Sequence, residues 1–309
     1  MEERKIRSAV VTGPTGAIGT ALCRRLLKEN IKVYAVVNPA SERKCVIPEG
    51  AEKIECDISE YASLTDMIGN ADAFFHLAWK GTTGEARNDA FMQEANVGYA
   101  AEAAETAGRL GCCVFIFAGS QAEYGRAEGK LAPDTPCFPE NAYGIAKLCA
   151  GSMTELKCRK YNTDYIRMRV LSVYGPNDGA SSMIMSTAGK ILKGETPALT
   201  KGEQEWDYLY SDDAADAFYR CALYGQSGKI YTLGSGCARP LREYVEIMRD
   251  SINKDISLGF GEIPYSEKQI MHLEADITEL TRDTGFVPEV TFEDGIRKML
   301  ESLQVTGKS

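Results

Sequence analysis

The stretch IRSAVVTGPTGAIG, residues 6–19, joins a β-branched apolar run to the start of a helical pattern through closely spaced glycines. Gly13, Gly16 and Gly19 follow a G-x-x-G-x-x-G spacing. Glycine permits a tight turn and a close approach of backbone to ligand, and a helix N-terminus stabilises negative charge. The stretch therefore predicts a loop that binds the pyrophosphate of a dinucleotide. The residues expected against the cofactor are Gly13, Thr15, Gly16, Ala17 and Ile18, with Thr15 standing where the commoner fingerprint has glycine.

Beyond this loop, short apolar runs alternate with longer amphipathic patterns. The predicted strands are Ile6 to Thr12, Ile31 to Val37, Ala71 to Leu77, Cys112 to Ala118 and Tyr165 to Val173, and the predicted helices are Ala17 to Glu29, Arg87 to Leu110 and Ala142 to Tyr161. The run CCVFIFAG is apolar on both faces, which is typical of a strand covered by helices on each side. The alternation predicts an α/β fold with a Rossmann-type, doubly wound parallel sheet.

The pattern changes after Gly175, where prolines and glycine-containing turns separate shorter elements. We interpret this part as a smaller C-terminal substrate-binding domain. The segment Asp212 to Tyr224 again predicts a helix, and Lys229 to Leu233 a strand. The NAD(P)-binding domain is therefore expected to span 1–174 with a return of about 211–235, and the substrate-binding domain 175–210 and 236–309.

Composition narrows the classes of partner. A formal net charge of -9 disfavours nucleic acid and anionic membranes, which are bound by basic surfaces. The sequence shows neither an apolar run long enough to span a membrane nor a secretory signal, so a cytoplasmic protein is expected. The ten cysteines are scattered without metal-site spacing. No metal is expected, and the cysteines are interpreted as small buried apolar residues in a reducing compartment.

Residues after the second and third predicted strands bear on the choice of cofactor. Asn38 follows Val37 where an acidic residue would usually bind the adenosine ribose of NAD. Arg43 follows shortly, and a basic residue there can accept the 2'-phosphate of NADP. The cofactor is therefore NADP or NAD, with NADP favoured. Asp57 precedes Ile58 after the third strand, and it either receives the adenine amino group or caps the next helix.

Tyr143 and Lys147 are four residues apart in a predicted helix, so they share one face. An ammonium beside a tyrosine, together with an oxidised nicotinamide, favours the phenolate near neutral pH, which makes Tyr143 a candidate general base for a hydroxyl proton and a general acid in reverse. Ser120 ends the apolar strand at 112–118, where ligands gather in open α/β sheets. Its hydroxyl is expected to hydrogen-bond the reacting oxygen, although Ser120 could instead cap a turn.

Taken in order, these motifs closely resemble the extended short-chain dehydrogenase/reductases, the NAD-dependent epimerase/dehydratase family. Further family-like segments are Asp57-Ile58, His76-Leu77-Ala78, Asn96, Val173-Tyr174-Gly175-Pro176 and WDYLYSDD at 206–213. The resemblance implies that Ser120, Tyr143 and Lys147 carry catalysis and that Lys147 also binds the nicotinamide ribose. It further implies a cofactor site lined by Leu77, Ala78, Lys80 and Asn96. Leu171 and Ser172 are expected to face the nicotinamide and the substrate, and His76 to have a structural role.

Two departures from the family bear on the reaction and the substrate. Sugar dehydratases carry an acid pair after the serine or threonine, whereas this chain has Gln121 and Ala122, so dehydration is disfavoured and Gln121 is expected near the substrate. Trp206 stands where many relatives have an arginine that binds a diphosphate. It could stack on a ring or fill a core. Possible replacement cations are Lys190, Lys193, Lys201, Arg242 and Lys268.

The resemblance leaves several functions open. A nucleotide-sugar 4-epimerase and a 4-keto-sugar reductase both fit, and a reductase of a substrate without a nucleotide is an alternative. A non-catalytic dinucleotide-sensing scaffold is disfavoured because Ser120, Tyr143 and Lys147 are all present. The two long helices resemble those that form a four-helix bundle across a family two-fold axis, so a homodimer is expected.

Overall fold

The computed structural model describes residues 3–267 and 269–306. Its strands are β1 Ser8–Thr12, β2 Lys32–Val37, β3 Glu52–Glu55, β4 Ala73–His76, β5 Val114–Ser120, β6 Asp164–Val170, β7 Ser172–Tyr174, β8 Ala198–Leu199, β9 Glu205–Trp206, β10 Tyr208–Tyr210, β11 Ile230–Leu233, β12 Arg239–Pro240, β13 Gly259–Phe260 and β14 His272–Leu273. Its α-helices are α1 Ala17–Lys28, α2 Leu64–Ile68, α3 Ala90–Arg109, α4 Ala142–Lys160, α5 Met183–Leu192, α6 Ser211–Tyr224, α7 Leu241–Ile252, α8 Thr278–Thr284 and α9 Phe292–Thr306.

One seven-stranded parallel sheet has the order β11-β6-β5-β4-β1-β2-β3. Within it, Thr12 at the end of β1 lies between Val36 of β2 and His76 of β4. Strands β2 and β3 lie on one side of β1, and β4, β5 and β6 lie on the other. The connections that leave β1 and β4 therefore run in opposite directions at this point. A crevice therefore opens at the carboxyl ends of β1 and β4, as expected for a doubly wound sheet. The Rossmann-type fold predicted from the sequence is confirmed.

Both faces of this sheet are buried, because successive strand residues point to opposite sides. Val11 belongs to the apolar core that also contains Leu22 and Phe218. Its neighbour Val10 belongs to the opposite core with Phe115. Helices α1 and α6 pack on the first face, and α3 and α4 on the second, so the catalytic candidates on α4 approach the sheet from the second side.

The later part of the chain builds a smaller region with a separate core. Short strands pair as β10-β7, β12-β9-β14 and β13-β8. Tyr244 of α7 packs its ring against that of Phe292 at the start of α9, with ring centres 4.5 Å apart. Strand β11 lies beside β6 in the large sheet. The division of the chain into an NAD(P)-binding domain and a substrate-binding domain stays a prediction.

Two predicted elements differ from the structure by three residues at one end, and the other bounds differ by one or two residues at most. The helix expected from Arg87 begins at Ala90, because the Asp89 carboxylate accepts the Met92 N–H at 3.0 Å and caps it there. The strand expected over Tyr165 to Val173 ends at Val170. Residues 172–174 form β7, which pairs with β10 in the smaller region.

The exposure of the cysteines differs in part from the expectation based on composition. All ten cysteines are free, and the expected burial is wrong for Cys45, Cys113, Cys149 and Cys237, which are exposed. Within residues 3–267 and 269–306, no three His, Cys, Asp or Glu side chains are grouped to hold a metal ion. Over the same described ranges, no helix combines the length and apolarity needed to cross a bilayer.

Candidate active site

The glycine loop lies in the crevice at the end of β1. Gly13 adopts φ +70°, and a Cβ there would lie 3.0 Å from the backbone N of Ala78. A side chain on Gly19 would collide with the Gly13 carbonyl. Helix α1 begins with no side-chain cap and no acidic residue in its first turn. Its N–H groups and positive dipole end are therefore available to a phosphate, which fits the pyrophosphate of a dinucleotide.

A cleft continues from this loop to the ends of β5 and β6. Its lining residues include Gly13, Gly16, Ala17, Ile18, Leu77, Trp79, Thr82, Ser120, Tyr143, Lys147, Leu171 and Asp178. The cleft brings together residues that are more than 150 positions apart in the sequence. It joins the proposed cofactor loop to the proposed catalytic side chains in one continuous surface.

A second cavity lies on the other side of the glycine loop, beyond β2. It is lined by Thr15, Asn38, Ser41, Cys56, Ile58, Tyr61, Ala78 and Lys80, among others. No Asp or Glu belongs to the lining that the structure describes. Asn38 is held by the Ala40 N–H, which donates to Oδ1 at 2.8 Å, and its Nδ2 donates to Asp57 at 2.9 Å. The cavity fits an adenosine, with a neutral amide where a carboxylate would bind its ribose.

Asp57 and Asn96 both act on Lys80. The Asp57 carboxylate caps a short 3-10 helix by accepting the Ser59 N–H at 3.0 Å, and it pairs with Lys80 Nζ at 3.3 Å. The hydrogen bonds from Ser59 and the Lys80 charge lower the pKa of Asp57. Asn96 is buried, and its amide exchanges two hydrogen bonds with the Lys80 backbone, at 3.0 and 2.9 Å. Asn96 therefore fixes the loop that lines the cavity and does not itself belong to the lining.

Arg43 extends away from the adenosine cavity. Its Nη2 donates to the Asn177 carbonyl at 2.7 Å. Asn177 lies in the loop after β7, with φ +67°. This bond connects the loop after β2 to the loop that enters the smaller region.

Ser120, Tyr143 and Lys147 converge at the cleft, as the sequence predicted. Ser120 ends β5, and the Ala122 N–H donates to its Oγ at 3.2 Å, which leaves the hydroxyl hydrogen free to donate elsewhere. The Ser120 side chain lies close enough to the Tyr143 phenol to lower its pKa. Asn141 caps α4 by accepting the Gly144 N–H at 2.8 Å, and this fixes the helix end that carries Tyr143.

Lys147 is only 3% exposed, although its side chain lines the cleft. Its Nζ donates to the Ala118 carbonyl at 2.8 Å and lies 3.9 Å from the centre of the Trp79 ring system. Burial lowers the pKa of Lys147 to about 7, while the Glu123 carboxylate opposes this shift and the Arg167 guanidinium adds to it. The amine therefore titrates near neutral pH.

The surroundings of Tyr143 act on the acidity of its phenol in opposite directions. Burial raises the pKa of the phenol, and the Ser120 side chain and the Arg87 charge only partly offset this effect. Arg87 lies with its guanidinium 4.3 Å from the centre of the Tyr143 ring. The phenolate that Lys147 and an oxidised nicotinamide together are expected to favour stays a prediction, and burial acts against it.

A further cavity adjoins the catalytic cluster on the Arg87 side. Gln121, Arg126, Glu140 and Asn141 line it together with Arg87. Arg126 is paired with Glu140 at 2.8 Å. Gln121, the residue directly after Ser120, therefore lies in a pocket of charged and amide groups, and its expected place beside a substrate stays a prediction.

The other residues expected to contact the substrate lie at the junction with the smaller region. Trp206 Nε1 donates to Ser172 Oγ at 2.7 Å. The Trp206 ring also packs against two apolar cores, so it fills space as well as binding Ser172. Leu171 lines the cleft. The neighbouring Asp207 is buried and accepts N–H groups from Ser235, Gly236 and Ala275, which makes it a structural tie between loops.

Sequence reasoning missed Trp79, Arg87 and Glu123. Trp79 directly follows the Leu77-Ala78 pair, and that proximity to a strand end was the available signal. Arg87 was placed inside a helix, whereas it lies in a 3-10 turn that leads into α3. Glu123 is buried and paired with Arg167 and Arg169, contacts that only the fold reveals.

The fold and the cleft together define a dinucleotide-binding α/β enzyme of the short-chain dehydrogenase/reductase type. A family model described as the NAD dependent epimerase/dehydratase family matches residues 9–234. The chain belongs to that family. Dinucleotide binding is thus a property of the family, and the extended short-chain dehydrogenase/reductase class predicted from the motifs is confirmed.

Individual relatives are distant but match along their whole length. The dTDP-4-dehydro-6-deoxyglucose reductase of Escherichia coli is 25% identical over 98% of this chain and 99% of its own. A UDP-glucose 4-epimerase of Thermotoga maritima, solved with UDP-glucose, superposes with a TM-score of 0.86 at 22% identity, covering 97% of this chain and 99% of its own. The Thermus thermophilus UDP-glucose 4-epimerase in complex with NAD gives 0.85 at 19%, covering 96% and 99%. At these sequence identities, the likeness to the two solved structures shows that this chain has the same fold and nothing further.

Proposed function

We propose that this chain transfers hydride between a nicotinamide cofactor and a carbon of a sugar, most simply as an NADPH-dependent reductase of a nucleotide-linked 4-keto sugar. The observation that carries the proposal is the convergence of Ser120, Tyr143 and Lys147 on the cleft that begins at the glycine loop. The raised pKa of Tyr143 keeps the phenol protonated, as a general acid requires.

Each of the three residues has a separate role in the proposed reaction. A nicotinamide bound in the cleft would supply the hydride. Ser120 donates its free hydroxyl hydrogen to the substrate carbonyl oxygen and so orients it. Tyr143 donates its phenolic proton to that oxygen, and the Lys147 ammonium stabilises the phenolate that remains. Lys147 is also proposed to bind the nicotinamide ribose.

NADP is the favoured cofactor on two observations. The adenosine cavity has no carboxylate among its described lining residues to bind the ribose hydroxyls of NAD, and Lys80 contributes a cation. Arg43 lies in the loop after β2, where rotation away from Asn177 would bring its guanidinium toward a 2'-phosphate. Related structures have been solved with NAD, as in the Thermus enzyme, so the preference is a property to measure.

A nucleotide is expected on the substrate because the smaller region contains a cavity between α5 and β8 whose largely apolar lining includes one cation, Lys190. Ser186, Lys190, Thr200 and Gln204 line it. Lys190 is therefore the preferred replacement for the arginine that Trp206 displaces. Arg242 is engaged elsewhere, since it donates to the Lys201 carbonyl and stacks on Phe260. Lys268 lies outside the described residues.

Tyr143→Phe tests the chemistry. With NADPH and a nucleotide-linked 4-keto sugar, we expect a loss of about 10²- to 10⁴-fold in kcat, the range for removing a general acid. Tyr219→Phe is the control, because that tyrosine packs under Arg25 on the far side of the sheet. Turnover of Tyr143→Phe near the wild-type rate would reject the proposed role. No turnover by the wild type, with intact cofactor binding, would favour a dinucleotide-sensing scaffold.

A 4-epimerase is the second candidate, and the Arg43–Asn177 hydrogen bond favours it. This bond connects loops from the two regions beside the cleft and would help to retain a cofactor through many turnovers. Heat release and chromatography of the purified protein distinguish the two. Stoichiometric NAD would indicate an epimerase, whereas an empty site that binds NADPH would indicate a reductase. Turnover of a free sugar alone would indicate a substrate without a nucleotide.

A further inference from the structure

Glu123 is a buried carboxylate that lies behind the catalytic cluster and not within the cleft. Its Oε1 accepts the backbone N–H of Ser120 at 2.9 Å. Its Oε2 accepts a hydrogen bond from Arg169 Nε at 2.8 Å and forms an ion pair with Arg167, whose Nη2 lies 2.9 Å away. A single side chain therefore links the end of β5 to two arginines of β6.

The arginines extend this link to the catalytic helix. Arg167 Nη2 also donates to the carbonyls of Lys147 and Leu148, at 3.1 and 2.9 Å. These carbonyls lie in the middle of α4, at the residue whose amine lines the cleft. The connection from Ser120 to the Lys147 backbone thus consists of a hydrogen bond to Glu123, an ion pair between Glu123 and Arg167, and a hydrogen bond from Arg167 to the Lys147 carbonyl.

Two glycines make room for this cluster. A Cβ on Gly119 would lie 2.6 Å from the Glu123 Oε1 atom, and a Cβ on Gly151 would collide with the Arg167 guanidinium. Neither glycine has a positive φ, so space and not backbone conformation accounts for them. The charges are fully desolvated, and such groups are retained only when they are paired.

We propose that Glu123 is a positioning residue that holds Ser120 by its backbone and, through Arg167, the turn of α4 that carries Lys147, and that its charge acts on the Lys147 amine. The inference rests on the proposed function, in which Ser120 and Lys147 are catalytic. Glu123 touches neither substrate nor cofactor in this scheme, because it acts through those two residues.

If the Glu123 carboxylate acts on the Lys147 amine, removing its charge changes the pH at which Lys147 loses its proton. The titratable and charged groups that face its amine are Glu123, Arg167, Tyr143 of the same helix and His76 of β4. Removing the carboxylate disfavours the ammonium, so Glu123→Gln lowers the pH at which Lys147 loses its proton, by about one unit. Arg167→Met removes a cation and raises it. Loosening of the fold would raise it in both variants, since an exposed lysine titrates near pH 10.4.

The experiment is competitive labelling of the full-length protein with acetic anhydride, followed by mass spectrometry of Lys147 across pH. This measurement needs no substrate, so its failure is distinct from failure of the proposed function. Asp283→Asn is the matched control, because Asp283 is a buried carboxylate paired with Lys229 and Arg282 away from the cleft. We expect a lower midpoint for Glu123→Gln and no change for Asp283→Asn. An unchanged or higher midpoint in folded Glu123→Gln overturns the proposal.

Two further variants complete the test. If Glu123→Gln does not fold, Glu123→Gln/Arg169→Gln removes the unpaired Arg169 charge as well, and a midpoint below that of the wild type is still expected, because Glu123 and Arg167, and not Arg169, are the charges that shift the Lys147 pKa. Glu123→Asp keeps the charge but shortens the reach to the Ser120 N–H. It should restore the labelling midpoint while leaving kcat about ten- to a hundredfold low, with KM little changed, because misplacement by about 1 Å has effects of that size. Full recovery of kcat would exclude the Ser120 part of the proposal.

Discussion

Arg87 illustrates how a single residue sets the chemistry of a neighbour. Its guanidinium lies over the Tyr143 ring and is one of the few influences that lower the pKa of that phenol. It also donates to the Thr82 carbonyl at 3.2 Å, which fixes the loop above the ring. We therefore propose that Arg87 takes part in the acid–base chemistry of Tyr143, although it is absent from the motifs that identify the family.

Arg87→Leu should move the alkaline limb of the pH profile of kcat to higher pH. The loss of a cation–π contact of roughly 0.5 to 2 kcal/mol corresponds to about a 2- to 30-fold effect on the phenolate form. Arg126→Leu is the control, because that arginine lines the same cavity but is paired with Glu140. A pH profile identical to that of the wild type would show that Arg87 does not act on Tyr143.

Arg43 carries the prediction for cofactor choice. Arg43→Ala should weaken NADPH binding about 10- to 100-fold, the worth of a charge-assisted hydrogen bond, and leave NADH binding within about twofold. Fluorescence titration of both cofactors measures the ratio. Lys44→Ala is the control, since Lys44 is paired with Glu55 at 2.6 Å. Equal weakening of both cofactors would indicate that Arg43 serves the Asn177 link and not the 2'-phosphate.

At the scale of elements, α4 has two different faces. Tyr143 and Lys147 point inward to the cleft. Ile145, Cys149, Met153 and Leu156 recur at a spacing of three to four on the outer face, and all are exposed. Helix α3 packs beside α4, held in part by the Lys157–Glu105 pair at 2.5 Å. We propose that these two helices form the four-helix bundle of a homodimer.

Ile145→Glu/Leu156→Glu should give a monomer by sedimentation at micromolar concentration, where the wild type is a dimer. Each burial of such a side chain contributes about 1.5 to 3 kcal/mol, and a two-fold axis doubles the loss. Val287→Glu is the control, because its 58% exposure matches the 55% and 59% of the two targets but it lies on another surface. A wild-type monomer, or a dimer that survives both charges, would refute this interface.

The sequence predicted the parts of the site that are encoded locally. The glycine loop, Ser120 and the Tyr143–Lys147 pair each follow a strand or share a helix face, so short-range spacing identifies them. Arg87 and Glu123 reach the same site through crossovers and side-chain directions that no periodicity encodes. The direction of Arg43 likewise depends on the loop at Asn177, which lies 134 residues away.

At the scale of the whole molecule, His76 couples the central sheet to pH. It is fully buried between the rings of Phe115 and Phe117, and its Nδ1 hydrogen-bonds Thr12 at 3.2 Å while Nε2 has no partner. Burial lowers the pKa of His76 to about 3, with the Lys147 charge adding to the shift. The folded state therefore holds the neutral imidazole under conditions in which the unfolded chain would bind a proton.

The sign of this linkage gives a stability prediction. The folded state is fully stable with respect to this group above the unfolded pKa of about 6.5, and this stability is lost as the pH falls toward 3. Between pH 7 and 5, the loss in the free energy of unfolding amounts to about 2 kcal/mol. His76→Phe should remove that part of the loss in the free energy of urea unfolding. His272→Gln, which removes the other histidine near Glu205, should retain it. Equal pH slopes for His76→Phe and the wild type would contradict the prediction.

The two faces of α4 also have a consequence for kinetics. If the apolar face is covered by a second copy, the helix that sets Tyr143 and Lys147 is supported from both sides only in the assembled form. Specific activity per chain should then fall when the enzyme is diluted below its dimer dissociation constant. It should recover when the sample is concentrated again.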